Sequence, residues 1–172
     1  MKRYVKALAC TLILSLLFAF GIGHNSLNSA IAKTSAPVLQ DVDKGNTTLN
    51  NYAKEVLRLV NVERMKAGLK PLTTNSTISK AANKRAKEIV KSFSHTRPNK
   101  TPFYTVFKEY KLSYKAAGEN IAYGQKSPKE VVTTWMKSSG HRANILSKKF
   151  GKIGVGVYKS GGRLYWTQIF TN

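Results

Sequence analysis

Residues 153–170, IGVGVYKSGGRLYWTQIF, are the stretch of sequence that determines the fold class. Ile153, Val155 and Val157 alternate with small or polar residues, as in a strand that buries one face. Residues 160–162, Ser-Gly-Gly, predict a tight turn, and apolar residues return between 164 and 170. The stretch therefore predicts a β-hairpin.

Three glycines at the start of this hairpin raise the question of a dinucleotide-binding loop. Gly151, Gly154 and Gly156 spell G-x-x-G-x-G, which is the wrong order for a dinucleotide-binding loop. They also open a strand of a hairpin instead of leading into a helix. We therefore expect them to allow close packing against a neighbouring element.

Helical patterns precede the hairpin. The first helix is predicted over 49–68, the second begins near Asn75 or Ser76, the third begins at Thr101-Pro102, and the fourth begins with the capping box of residues 127–130. The apolar positions of these helices are Tyr52, Val56, Leu57, Val60 and Met65; Ile78, Ala81, Ala82, Ala86, Ile89 and Phe93; Phe103, Val106, Phe107 and Tyr110; and Val131, Val132, Trp135 and Met136. With a short extended piece at residues 120–123, this order predicts an α+β layered domain.

The composition limits the class of protein. The 172 residues include 29 Lys and Arg against 8 Asp and Glu, a net charge of +21, but 42% of them are apolar. That apolar fraction excludes a disordered polycation. The single cysteine excludes a disulfide framework. A charge of this size predicts attraction to polyanions.

The N-terminus has the pattern of a secretory signal. Three cations in residues 1–6 precede an apolar run over 7–23, and Ala30-Ile31-Ala32 supplies small residues for cleavage after Ala32. We predict a signal peptide at 1–32, a flexible linker at 33–48 and one domain at 49–172; an uncleaved anchor is the alternative. Cleavage would leave 26 − 8 = +18 charges and two histidines.

His95, Glu119 and His141 are the candidate site residues. They lie in the settings Phe93-Ser94-His95, Gly118-Glu119-Asn120 and Gly140-His141-Arg142. Two imidazoles and a carboxylate suit a metal with an open coordination position, or proton transfer around a water molecule. The structural alternatives are a helix cap, a buried hydrogen-bonded histidine and a glutamate that anchors loop backbone.

Eight short motifs, in this order, resemble the CAP superfamily (cysteine-rich secretory proteins, antigen 5 and pathogenesis-related 1 proteins, also called SCP domains), and especially its small secreted bacterial members. They are Asn61-x-x-Arg64, Gly68-Leu69-Lys70-Pro71-Leu72, Ala81-Ala82, Phe93-Ser94-His95, Gly118-Glu119-Asn120-Ile121-Ala122, Trp135-Met136-x-Ser138, Gly140-His141-Arg142-Ala143-Asn144-Ile145-Leu146 and Ile153-Gly154-Val155-Gly156. The resemblance covers about residues 49–170. It implies an α-β-α sandwich with helices on both faces of a small antiparallel sheet.

The resemblance also implies a cleft lined by two histidines and two acids. His95, Glu119 and His141 match three of these positions, and Ser138 stands where the second acid is expected, as is common in the bacterial branch. Glu130 is a possible substitute, but its place in the capping box already explains it. We expect a weakly bound divalent metal such as zinc at His95, Glu119 and His141, because one acid is missing. No cofactor is required by the pattern.

Three functions compete at this point. The first is a secreted CAP-domain protein of the cell envelope that binds a small ligand or metal in its cleft without robust catalysis. The second is a hydrolase or peptidase with a histidine base oriented by Glu119. The third is a nucleic-acid or polyanion binder, which the short basic clusters favour least. Anionic wall polymers and lipid headgroups are the expected partners of the charge, and the sequence leaves the oligomeric state open.

Overall fold

The computed structural model describes the backbone of residues 36–172 and the side chains of residues 44–172. The predicted signal peptide lies outside the described residues. The elements are α1 (Ala36–Lys66), α2 (Ser76–Lys91), a 3₁₀ turn (Phe103–Thr105), α3 (Val106–Glu109), β1 (Ala117–Tyr123), α4 (Pro128–Lys137), α5 (Ser139–Ile145), β2 (Lys152–Ser160) and β3 (Arg163–Thr171). The three strands form one antiparallel sheet in the order β1-β3-β2.

The predicted hairpin is confirmed. β2 and β3 pair from Lys152↔Thr171 to Ser160↔Arg163, which leaves Gly161 and Gly162 as a two-residue loop. Both glycines have positive φ, +54° and +76°. A loop of this kind matches the twist of the strands that it joins, and glycine adopts both angles without strain.

The sheet buries both of its faces. Val60, Trp135 and Trp166 belong to a large apolar cluster that joins α1 and α4 to one face. Ile78, Phe107 and Ile169 belong to a smaller cluster that joins α2 and α3 to the other. Helices therefore cover the sheet from both sides, as the α+β sandwich prediction requires.

Two of the three glycines at the start of the hairpin bring α2 close to the sheet. A Cβ atom on Gly154 would clash with the backbone carbonyl of Ile78, and one on Gly156 would clash with that of Ala82. Gly151 does not fit this explanation, because its nearest neighbour would lie 3.9 Å away, at ordinary contact distance. The close-packing prediction is thus right for two glycines and wrong for the third.

Helix α1 begins earlier than expected. It is continuous from Ala36, so residues 36–48, predicted as part of a flexible linker, are helical. Pro37 lies in the first turn, where its missing N–H costs nothing, and extending an existing helix is easier than nucleating one. Residues 44–48 are exposed, which explains why they show no apolar period.

The remaining helix ends and apolar positions agree with the prediction only in part. Gly68 follows α1 with φ +69°, and Asn75 caps α2 by accepting a hydrogen bond from the Ile78 N–H at 3.0 Å. Met65 and Phe93, placed on apolar faces by their spacing, are 56% and 49% exposed. The predicted third helix is only a 3₁₀ turn and one turn of α3, and α5 was not predicted because seven residues are too few to show a period.

Among the helices of residues 36–172, none combines the length and the apolar character that crossing a membrane requires.

Candidate functional site

The three candidate residues come from three separate elements. His95 lies in the loop after α2, Glu119 on β1 and His141 on α5. His95 and His141 line one open cleft of about 560 Å³, together with residues of β1 and α4. Glu119 lies behind His95, and no part of its side chain is exposed. The fold therefore brings the two imidazoles to the cleft and the carboxylate to its base.

Glu119 is held by a buried arginine that the sequence analysis did not single out. Arg85 Nε donates to Glu119 Oε1 at 2.7 Å and Arg85 Nη2 to Oε2 at 3.2 Å. His95 Nδ1 lies 2.7 Å from the same Oε2, while 58% of the His95 side chain is exposed. A two-pronged guanidinium–carboxylate contact fixes the carboxylate plane, and this in turn fixes the orientation of the imidazole.

A second carboxylate, that of Glu88, also pairs with Arg85 and holds the loop that carries His95. Glu88 accepts from Arg85 Nη1 at 2.8 Å and from Arg97 Nη2 at 2.6 Å. Arg85 Nη2 also donates to the carbonyl of Ser94 at 2.9 Å. Burial acts to raise the pKa of Glu88, but the hydrogen bonds from the two arginines outweigh it and hold the pKa below its usual value. Both sides of the loop are therefore tied to α2.

His141 has a different environment. Its backbone carbonyl accepts from Asn120 Nδ2 at 3.1 Å. Asn120 Oδ1 accepts from Asn144 at 2.9 Å, which links α5 to the buried centre of the sheet. The His141 ring atom Nδ1 is buried and has no hydrogen-bond partner among the described residues. Burial, and next the charge of His95, lower the pKa of the His141 imidazole, so the neutral form is favoured.

The walls of the cleft are largely aromatic. Phe93 and Tyr123 are 49% and 45% exposed and meet edge to face, with their ring centroids 4.7 Å apart. Trp135 and Thr134 of α4 also line the cleft. Gln125 lies in the lining as well, and its Oε1 is a second buried polar atom with no partner among the described residues. Both atoms belong to residues of the cleft wall but are themselves buried, and the described residues offer them no hydrogen-bond partner.

The environment of Glu119 bears on the expected metal site. Among the described side chains of residues 44–172, no group of three His, Cys, Asp or Glu is arranged to hold a metal ion. Both oxygens of Glu119 are engaged by Arg85, and a cation bound to that carboxylate would lie beside the guanidinium charge. Glu119 therefore fits the role of an orienting group for His95 better than that of a zinc ligand.

The two residues considered for the second acid position are outside the cleft. Glu130 accepts from the backbone N–H of Lys126 at 2.8 Å, and its own N–H donates to Ser127 Oγ at 3.2 Å, so it caps α4 as predicted. Ser138 joins α4 to α5, and its carbonyl accepts from the Arg142 N–H at 2.8 Å. Neither residue lines the cleft.

Arg85 could have been found from the sequence. It follows Ile78 by seven positions and precedes Ile89 by four, which places it on the buried face of α2. Its neighbours Lys84 and Lys87 make it look like one member of a basic cluster. A cation on an apolar helical face requires a buried anion, and Glu119 is that anion. The pairing of Glu88 with Arg97 depends on contacts that no local pattern shows.

Comparison with known proteins identifies the family. The model of the cysteine-rich secretory protein family, CAP, matches residues 57–170. The chain belongs to the CAP superfamily. The Bacillus subtilis protein YkwD is 42% identical to it over 150 residues, which cover 83% of this chain and 58% of YkwD.

Solved structures share the fold. An extracellular SCP-domain protein of Bacillus anthracis has a TM-score of 0.70 and 26% identity over 82% of this chain and 45% of that one. An outer surface protein of Borrelia burgdorferi has a TM-score of 0.63 and 22% identity over 69% of this chain and 90% of that one. The chain spans less than two thirds of the length of YkwD and of the Bacillus anthracis protein. An SCP domain thus occurs in a bacterial protein described as extracellular, and a protein of similar fold is described as an outer surface protein.

Proposed function

We propose that this chain is a secreted CAP-domain protein that acts at the cell envelope by binding a ligand in the cleft between His95 and His141, without robust catalysis. The observation that supports it best is the open cleft of about 560 Å³ itself, which His95 and His141 line together with Phe93 and Tyr123. A cavity of this size with few convergent polar groups and apolar walls is typical of a ligand site.

The cleft is preorganised for binding. The Arg85–Glu119 pair holds His95 in place, and the ties from Glu88 and Arg97 hold its loop, so little ordering remains to be done when a ligand enters. The aromatic walls at Phe93 and Tyr123 supply apolar contact area with few rotatable bonds. The proposed extracellular location rests on the predicted signal peptide and on the descriptions of the similar proteins.

A matched pair of substitutions tests this proposal. Thr134 and Thr133 are both exposed on α4, but only Thr134 lines the cleft. Thr134→Phe fills the cleft, and Thr133→Phe is the control for added bulk. Thermal shifts measured with muropeptides, glycerol-phosphate oligomers, sugars, fatty acids and zinc are expected to reveal a ligand that the wild type and Thr133→Phe bind and Thr134→Phe does not. Equal shifts in all three proteins for every compound would contradict the proposal.

One observation favours hydrolysis as the second candidate. The 2.7 Å contact between Glu119 Oε2 and His95 Nδ1 is the contact that orients a histidine base. His95 would take a proton from a water molecule that attacks a scissile carbonyl in the cleft. Release of fluorophore from peptide and muropeptide substrates is expected to disappear in His95→Gln. Release that persists in His95→Gln would contradict a role for this site.

We propose that the net positive charge of the chain retains the protein at the cell envelope. Of the cations on the wet side of α2, Lys84 pairs with Glu109 and Lys87 lies over the Tyr158 ring at 5.6 Å. The predicted net charge of +18 after cleavage is what remains once all eight acids are counted, and it favours anionic wall polymers or lipid headgroups. Washing cells with rising salt is expected to release the protein progressively. Complete release into low-salt medium would contradict retention by charge.

A further inference from the structure

The cleft runs along a free edge of the sheet. β1 is an outer strand, since within the described residues it pairs only with β3. Three residues of its second half, Ile121, Ala122 and Tyr123, line the cleft. An outer strand presents backbone donors and acceptors that another extended chain can use.

The direction of these backbone groups follows from the pairing. The N–H of Gly124, the residue after β1, donates to the Leu164 carbonyl at 2.9 Å. In an antiparallel pair, alternate residues turn both backbone groups toward the partner strand, so Ala122 faces β3 while Ile121 and Tyr123 face outward. The Ile121 carbonyl supports this assignment, because it lies 3.5 Å from Trp135 Nε1, on the side away from β3.

Among the described residues, the outward N–H groups in the second half of β1 are unused, whereas the carbonyl of Glu119, in its first half, accepts from Asn144 Nδ2 at 3.2 Å. In residues 36–172 neither the N–H of Ile121 nor that of Tyr123 donates to a group outside the sheet. The 3.5 Å contact at the Ile121 carbonyl is at the long limit for a hydrogen bond. This edge therefore offers donors and acceptors at strand spacing, which is the pattern that an extended backbone complements.

The charge of the site favours an acidic partner. No Asp or Glu is among the described residues that line the cleft, and Glu119 behind it is neutralised by Arg85. The chain as a whole carries 29 Lys and Arg against 8 Asp and Glu, a net charge of +21, which attracts acidic ligands. A carboxylate on the ligand would meet complementary charge here.

We propose that the ligand of the cleft is an extended acidic peptide segment that pairs as an additional strand with the outer edge of β1 at Ile121 and Tyr123. The inference rests on the proposed cleft-binding function and names the chemical class of its ligand. Main-chain hydrogen bonds would hold the peptide, and contacts with Phe93 and Tyr123 would select its side chains.

The probe is an equimolar library of acetylated, amidated heptapeptides with Asp or Glu at the central position. We expect the immobilised protein and its Thr133→Phe variant to retain this library about tenfold better than Thr134→Phe does, because the added ring blocks the edge. The same library with every backbone amide N-methylated carries no N–H donor, and we expect it not to be retained. Equal retention of the methylated library would overturn strand pairing.

Amide exchange gives a readout at the strand itself. In the free protein, the N–H groups of Ile121 and Tyr123 should exchange faster than that of Ala122, and bound peptide should slow both about tenfold or more. Unchanged exchange with bound peptide would overturn the inference. A non-peptide ligand that is lost in Thr134→Phe, with no retention of peptides, would overturn it and leave the cleft-binding function standing. Peptide retention that is unaffected by Thr134→Phe would contradict both.

Discussion

Arg85 and Glu119 form an ion pair in which neither side chain exposes any surface, with the two nitrogen–oxygen contacts at 2.7 and 3.2 Å. The pair joins α2 to β1 beneath the cleft and aligns the carboxylate with His95. Removing one partner of an ion pair buried this completely destabilises the fold strongly, because no solvent stabilises the charge that remains. The stability of the domain and the geometry of the cleft therefore depend on the same contact.

Removing one partner of this pair is expected to be severe. Arg85→Met leaves Glu119 as a buried carboxylate without its guanidinium and should lower the free energy of unfolding by about 3 to 5 kcal/mol. Urea denaturation measures the loss. Arg58→Met, which breaks the exposed Arg58–Glu55 pair, is the control and should change stability little. Equal losses of unfolding free energy in the two variants would contradict the claim that the buried Arg85 pair stabilises the domain more than the exposed Arg58 pair does.

The glycines of β2 allow a controlled packing experiment. Gly154→Ala and Gly156→Ala each place a methyl group against the α2 backbone and should destabilise the domain by roughly 1 to 3 kcal/mol or more. The methyl group of Gly151→Ala would come no closer than 3.9 Å to a neighbouring atom and should be tolerated. Thermal unfolding of the three variants provides the comparison. A Gly154→Ala variant as stable as Gly151→Ala would contradict the close approach of α2.

These cases illustrate what the sequence could and could not predict. The hairpin follows from the alternation of Val155 and Val157 and from Gly161-Gly162, because turn chemistry and strand period are local properties. The helical extension to Ala36 was missed, since residues 33–48 show no apolar period and residues 44–48 are exposed in the structure. Local patterns also could not pair Glu88 with Arg97, because such contacts depend on how α2 and the following loop meet.

For the site, the structure places His95 and His141 in one cleft, and the resemblance, not the spacing, supplied the expectation that they would meet. The sequence analysis considered Glu119 as a ligand or an orienting group, and its contacts with Arg85 favour the second role. Gln125 was missed altogether. A single glutamine in a loop has no distinctive pattern, and its importance comes from a buried atom without a partner among the described residues.

Lowering the pH should weaken the ion pairs of Glu88 that hold the His95 loop. The pKa of Glu88 is lower in the folded protein than its usual value of 4.5, so the folded state binds fewer protons than the unfolded chain. Its contribution to stability is present above pH 4.5 and is lost as the pH falls through the folded pKa. Glu88→Gln should be less stable at pH 7 and should lose less on acidification. Urea midpoints at about pH 7 and below about pH 4 test this; parallel losses in both proteins would contradict it.

His141 should contribute a pH dependence in a different window. Its pKa is lowered from 6.5 by burial, so the unfolded chain binds a proton that the folded domain resists. The contribution is complete above about pH 6.5 and declines as the pH falls below it. We expect His141→Asn to flatten the change in unfolding free energy between about pH 7.5 and 5.5. An identical slope in the variant would contradict a buried neutral imidazole.

The central claim is that the cleft between His95 and His141 is where this CAP domain binds its ligand. The most direct measurement is the NMR spectrum of the two imidazole Cε1–H groups as a heptapeptide or other ligand found in the screens is added. Both signals are expected to move in the wild type and in Thr133→Phe and to stay in place in Thr134→Phe. Binding that leaves both imidazole signals unmoved in the wild type would contradict the claim.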